Sequence, residues 1–199
     1  MQIILAYRDD SLGEAWRTHF CERPDVQIIH GDITAVNCDA VVSPANSFGF
    51  MDGGLDAALS DRFGWDLQID LQRQIRDLPE GELLIGKALV IPTKDSRVPW
   101  LIVAPTMRVP MSFNIATSIN AYLAMKAILI AATTHPGIRS VAIPGLCTGV
   151  GRMPPETASK QMFEAYNEVV LGVRRSFEDF GDAQKHQIEL NPNGLIWDF

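Results

Sequence analysis

Cysteine is scarce: Cys21, Cys38 and Cys147 are the only three in 199 residues. They are odd in number and widely spaced, which excludes a disulfide framework and any Cys-x-x-Cys redox or zinc pair. That usage fits a reducing, cytoplasmic setting. Histidine is nearly as sparse, with four residues at positions 19, 30, 135 and 186. None stands at metal-ligand spacing from another histidine or from a cysteine, so no structural zinc is expected, and no cofactor is expected either. No apolar run reaches membrane-spanning length. The run Ile3–Ala6 is stopped at once by Arg8, Asp9 and Asp10, so the N-terminus reads as a strand and not as a signal peptide. An excess of positive charge is missing too. Seventeen basic against 24 acidic residues give a formal charge of -7 and a pI near 5.0, which argues against a nucleic-acid-binding face.

What remains is an ordinary globular composition, 47% hydrophobic and 21% charged, with enough chain for one large core. The expectation is a single domain over 1–199, its last stretch from about 181 a less regular extension. Gln2 to Tyr7, Val26 to Ile29, Asp39 to Ser43, Leu83 to Ile91, Trp100 to Ala104 and Ser140 to Pro144 read as strands. The pair around the polar turn Thr93 to Val98 reads as an antiparallel hairpin. Helices are expected after Asp9 or Ser11, from Leu55 to Phe63, from Trp65 to Leu78, from a cap at Ser112 or Asn114 to Thr134, and from Pro154–Pro155 to about Val173. A short strand at Gln187 to Leu190 and an apolar anchor of Ile196, Trp197 and Phe199 complete the chain. Alternating strands and helices around a central hairpin imply an α/β fold, a three-layer α/β/α sandwich around a mixed, mostly parallel sheet. Ligands in such folds sit at the carboxyl ends of the strands.

Two loops fall there. Val41 to Asp56, VVSPANSFGFMDGGLD, passes from buried strand to a small-polar turn at Asn46, then to Gly53–Gly54 and an acid at the start of a helix. Asn46 and Asp56 could hydrogen-bond a polyol and position a water, or serve as turn and helix cap. Ser140 to Arg152 repeats the strand–glycine loop–helix plan. Its N–H groups suit an anion such as a pyrophosphate, or its glycines only make a tight turn. Asp32, at the end of the second strand, could accept from an exocyclic amine or simply close a turn. Gly81 to Lys87, GELLIGK, imitates a P-loop but lacks the hydroxyl residue and the following helix. Cys147 reads as a packing residue, because no histidine stands near it in sequence. Met107, Met111 and Phe113 read as core or lid packing.

GDIT at Gly31 to Thr34, SPAN at Ser43 to Asn46, DGGLD at Asp52 to Asp56 and SVAIPGLCTGVG at Ser140 to Gly151 occur in an order and spacing that resembles the macrodomain family, over about Val26 to Tyr166. Macrodomains are α/β/α modules that bind ADP-ribose, and some hydrolyse ADP-ribosyl bonds or deacetylate O-acetyl-ADP-ribose. The resemblance implies that Asp32 meets the adenine amine, supported by the Ile33 backbone. It implies that Asn46 and Asp56 face the distal ribose, and that Gly53 and Gly54 allow its close approach. Thr148, Gly149, Val150 and Gly151 would wrap the diphosphate. Arg152, read from the loop alone, could add charge there or point into solvent. The implied partner is ADP-ribose or an ADP-ribosylated substrate, and the implied activity is hydrolysis at the distal ribose, with a non-catalytic reader as the alternative. The chain departs from the pattern at three places. Ser43 stands where many hydrolytic members have Asn, Asp52 where they often have Gly, and Gly151 where an aromatic commonly shields the ribose. Phe177 or Phe180 could supply an adenine-stacking ring.

Overall fold

Successive residues of each strand go to different cores, which is what places helices on both faces of the sheet. The computed structural model describes residues 1–111 and 115–194. Its elements are β1 (Gln2–Tyr7), α1 (Asp10–Phe20), β2 (Val26–His30), a 3₁₀ turn at Ile33–Ala35, β3 (Ala40–Ser43), α2 (Gly54–Phe63), α3 (Asp66–Arg76), β4 (Leu89–Pro92), β5 (Trp100–Val103), α4 (Asn120–Thr134), β6 (Ser140–Ile143), α5 (Pro155–Val169) and α6 (Phe180–Leu190). Ile3, Leu5 and Tyr7 join Val42 and Ile143 in a core closed by α1, α4 and α5. Ile4 and Ala6 join Val41 and Ala142 in a second core, closed by Leu59 of α2 and Leu67, Leu71 and Ile75 of α3. The sheet order is β2-β1-β6-β3-β5-β4. All neighbours run parallel except β4, which is antiparallel to β5. The expected three-layer α/β/α sandwich, with its hairpin, is therefore present.

Local signals hold for most elements. Asp9 caps α1, accepting from the Ser11 N–H at 3.0 Å, and Leu12, Trp16 and Phe20 at helical spacing are all buried. Four expectations change. The helix expected to run to about Val173 ends at Val169, ahead of Gly172 with φ +70. The strand expected at Leu83 to Ile91 is confined to β4, because Gly86 turns the chain with φ +91. The long helix begins only at Asn120, where the Ser118 hydroxyl accepts from the Asn120 N–H at 3.3 Å; the caps proposed at Ser112 and Asn114 lie outside the described residues. Gln187 to Leu190 is the last turn of α6 and not a strand. Asp179 accepts from the Asp182 N–H at 2.9 Å, and His186 and Leu190, four residues apart, are the buried positions of that helix. The anchor of Ile196, Trp197 and Phe199 also lies outside the described residues. No helix among the described residues is long and apolar enough to cross a membrane.

The two strands that carry the loops, β3 and β6, are neighbours joined at their amino ends. The Asp39 carboxylate accepts from the N–H of Arg139 at 2.9 Å and from the N–H and hydroxyl of Ser140 at 2.9 and 3.0 Å. The ladder then pairs only Ala40 with Val141 and Val41 with Ala142. Pairing ends before the carboxyl ends are reached, so a crevice opens between them. Burial pushes the Asp39 carboxyl pKa up, but the bonds from Arg139 and Ser140 outweigh it and leave it below the ordinary value of 3.8. A depressed folded pKa stabilises above the unfolded value and loses that contribution as pH falls through the folded one. Asp39→Ala should therefore lower the unfolding free energy at neutral pH by about 2 kcal/mol. In urea titrations that deficit should shrink below pH 4; a deficit unchanged at pH 3 would contradict the brace.

Candidate functional site

Beyond Ser43 the chain leaves the sheet but keeps pairing with the segment after β5. Thr106 N–H donates to the Ala45 carbonyl at 3.1 Å and Ser47 N–H to the Arg108 carbonyl at 3.0 Å. Between them the Asn46 amide winds a loop around itself. Its Nδ2 donates to the Phe50 carbonyl at 2.8 Å, and its Oδ1 accepts from the N–H groups of Phe48 and Phe50 at 3.1 and 3.2 Å. Met51, fully buried, pins the loop at its far end. The Met51 N–H donates to Gln68 Oε1 at 2.6 Å and its carbonyl accepts from the Ser60 hydroxyl at 2.9 Å. The chain then emerges as Asp52, Gly53 and Gly54, all exposed. Gly53 leads into α2 with no side-chain cap, and Gly54 takes φ +57, so the first N–H groups of the helix remain unpaired by side chains and suit an anion.

Asp56 lies in the first turn of α2, 9% exposed. The Ser43 hydroxyl donates to its Oδ1 at 2.6 Å. Oδ2 has no hydrogen-bond partner among the described residues and is left to the cleft. Burial pushes the Asp56 carboxyl up to about 6, against the pull of the Ser43 bond. Such a group is mostly ionised at neutral pH yet basic enough to take a proton from water.

The opposite wall is the loop after β6. Cys147 and Arg152 hold φ of +65 and +52, a left-handed conformation costly for residues with side chains. The loop is tied across itself by Met153 N–H to the Cys147 carbonyl and Arg152 N–H to the Gly149 carbonyl, both 3.0 Å. Gly151 is compulsory in this arrangement, since a Cβ there would sit 2.6 Å from the Cys147 carbonyl oxygen and 2.8 Å from the Ile115 side chain. The aromatic expected at this position from the sequence pattern has no room in this arrangement. Cys147 is buried, and burial pushes its thiol up to about 12, so it is no nucleophile.

These segments enclose a cleft of about 430 Å³. Ala45, Asn46, Phe50 and Asp52 to Asp56 line one side, Gly145 and Cys147 to Gly151 the other, and Thr106, Met107 and Pro110 the end. Of the residues expected at a site, Asn46, Asp56, Gly53, Gly54, Thr148, Gly149, Val150 and Gly151 meet here. Asp32, Ile33 and Arg152 do not line it. Asp32 sits at the end of β2, where it accepts from the Thr34 N–H and hydroxyl at 2.9 and 2.8 Å and from Arg8 at 2.5 Å. Ile33 is buried in the core beside α2 and α3, and Arg152 is exposed. Phe177 packs on His186 with ring centroids 5.5 Å apart and lines other grooves. Among the described residues no Lys, Arg or His lines the cleft, so an anion there must be held by N–H groups and helix ends. Among the described residues no group of three or more His, Cys, Asp or Glu could hold a metal ion. Phe50, 54% exposed and lining the cleft, is not among the residues that the sequence singles out. The alternation of Phe48 and Phe50 around glycine was its only sequence signal.

A family model described as Macro domain matches residues 42–162, from β3 into α5, which includes both loops. An uncharacterized protein of Aquifex aeolicus (strain VF5) is 32% identical over 140 residues, covering 70% of this chain and 79% of that protein. A Salmonella typhimurium protein named O-acetyl-ADP-ribose deacetylase is 31% identical over 137 residues, covering 68% of this chain and 73% of that protein. Among solved structures, the Oceanobacillus iheyensis macrodomain with ADP aligns with a TM-score of 0.61 at 19% identity, covering 81% of this chain and 87% of that one. The macrodomain of Mycobacterium tuberculosis DarG gives 0.58 at 21% identity, covering 69% and 87%. At such identities the structures speak to the fold.

The buried carboxylate has a measurable cost. A folded pKa of about 6 against 3.8 means that the folded state binds the proton more tightly, so stability falls as pH rises from about 4 to 6 and stays reduced above. Asp56→Asn should thus raise the unfolding free energy at pH 8 by up to about 3 kcal/mol. That gain should vanish near pH 4, and a gain of equal size at both pH values would show that burial of charge is not its source.

Proposed function

The chain belongs to the macro domain family, and from that premise we propose that its cleft binds ADP-ribose or an ADP-ribose derivative and hydrolyses an ADP-ribosyl linkage or ester at the distal ribose. The observation that carries the reading is Asp56, a buried carboxylate with one oxygen bound by Ser43 and the other left to a cleft between two anion-suited loops. The diphosphate lies on the N–H groups of Thr148 to Gly151 and the amino end of α2. The distal ribose then stands over Asp56. From the end of β3 to the end of β2 is three strand spacings along the sheet, about 14 Å, a span that suits an extended nucleotide sugar. The adenine accordingly lies toward Asp32. Hydrogen bonds from Thr34, together with Arg8, hold the Asp32 carboxyl below its ordinary value, so it remains an ionised acceptor for an amine.

In this mechanism Asp56 Oδ2 takes a proton from a water whose oxygen bonds to the reacting carbon. The bond to the attached group breaks, and the proton passes on to the departing atom. Ser43 keeps part of the carboxylate ionised and fixes its orientation. Asn46, whose amide is spent on the loop backbone, acts as a positioning residue for the wall that holds the ribose. A reader that binds without turnover is the reading Gly151 favours, because no ring at that position shields the ribose and its water.

Calorimetry with ADP-ribose should give saturable binding, and the absence of binding at millimolar ligand would overturn the reading. In turnover of ADP-ribosylated protein and O-acetyl-ADP-ribose, kcat/KM should rise with pH through a limb near 6. Ser43→Ala should move that limb upward, because the hydrogen bond that stabilises the charged form is lost. Asp56→Asn should lower kcat by about 100-fold or more. Persistence of every substrate would leave the reader and remove the hydrolase.

A further inference from the structure

The loop that Asn46 winds holds two aromatic rings, and one of them already carries a guanidinium. Arg108 lies over the Phe48 ring at 4.9 Å from its centroid, and its Nε donates to the Glu82 carboxylate at 2.7 Å. Two residues further on, Phe50 and Asp52 offer the same two partners, an aromatic face and a carboxylate, but toward the cleft. Among the described residues neither makes an ion pair, ring contact or side-chain hydrogen bond with another side chain. The loop beneath them is firmly braced. Asn46 holds the N–H and carbonyl of Phe50, and buried Met51 between them is tied to Gln68 and Ser60. A half-exposed ring on a braced backbone stays open to a ligand in the cleft.

We propose that Phe50 and Asp52 form an acceptor-side subsite for a cationic group, a guanidinium or ammonium, attached to the sugar that sits over Asp56. This rests on the nucleotide-sugar reading of the cleft and names the substrate class within it. Two features act in the same direction. A cation over the Phe50 face and beside Asp52 gains attraction from the ring quadrupole and from the carboxylate. A terminal phosphate in the same place meets Asp52 and Asp56, with no basic side chain among the described residues that line the cleft, and like charges at such range repel. Hydrolysis of an N-linked guanidino sugar balances without further reagents. The water oxygen bonds to the anomeric carbon, and the carbon–nitrogen bond breaks with its electron pair going to nitrogen. That nitrogen takes the proton that water gave to Asp56, leaving free sugar and a guanidinium.

The test is displacement of a fluorescent ADP-ribose by ADP-ribosylagmatine, ADP-ribose 1″-phosphate and ADP-ribose. Wild-type protein should bind ADP-ribosylagmatine at least about tenfold more tightly than the 1″-phosphate. Asp52→Asn and Phe50→Ala should each reduce that ratio by about fivefold, and added salt should reduce it in the wild type. Phe50→Leu keeps an apolar side chain without the π face, so it should also lower the ratio even if Phe50→Ala disturbs the loop. A 1″-phosphate that binds as tightly as ADP-ribosylagmatine, or a ratio unmoved by Asp52→Asn and Phe50→Leu, would overturn the subsite. Absence of fluorescent ADP-ribose binding would instead overturn the nucleotide-sugar reading, and this one with it.

Discussion

The hydrogen bond from Ser43 to Asp56 joins the end of a central strand to the first turn of a helix, and the site is arranged around it. A carboxylate this deep would be neutral if nothing stabilised its charge. One hydroxyl leaves it with a proton affinity suited to neutral pH, ionised but still basic. The sheet provides the room. Because β3 and β6 stop pairing after Val41 and Ala142, the strand ends part where Ser43 and the glycine loop leave them. The Asp39 brace at the opposite ends of the same strands keeps that parting local.

The two walls obtain their shape by different means. On the β6 side, the close approach of Gly151 to the Cys147 carbonyl and the left-handed Cys147 and Arg152 make a tight, strained loop. On the β3 side, Asn46 and Met51 fasten the loop at both ends and leave Phe50 outward. Phe50, half-exposed, lines the cleft on the side opposite Gly151. Strain on one wall and bracing on the other both favour a preorganised site over one assembled by the ligand.

What was legible in the sequence was what local physics decides. Asp9 caps α1, the run Asp39 to Ser43 is buried on both faces, and the glycine loops follow strands because the residues themselves require it. Three of the four linked motifs, SPAN, DGGLD and SVAIPGLCTGVG, led to the cleft because each is a contiguous stretch. Gln187 to Leu190 reads as a strand from its composition, yet packing of His186 and Leu190 makes it helix. The start of α4 depends on Ser118, which no periodicity marks. Within the site, Asp56 and the glycines were legible, whereas the Ser43 partnership spans thirteen residues and the outward turn of Phe50 depends on a loop closed by Asn46. Both are tertiary facts. Asp32 and Arg152 were grouped with the cleft by motif, but the chain places them outside its lining, Asp32 at the end of an outer strand and Arg152 on the surface.

The chemistry assigned to the Asp56 carboxylate is tested most directly by its titration. The carboxyl carbon of Asp56, followed by NMR as pH is varied with and without ADP-ribose, should show a midpoint of about 6 in the free protein and a displaced one with ligand present. A midpoint near the ordinary 3.8, with no response to ADP-ribose, would contradict it.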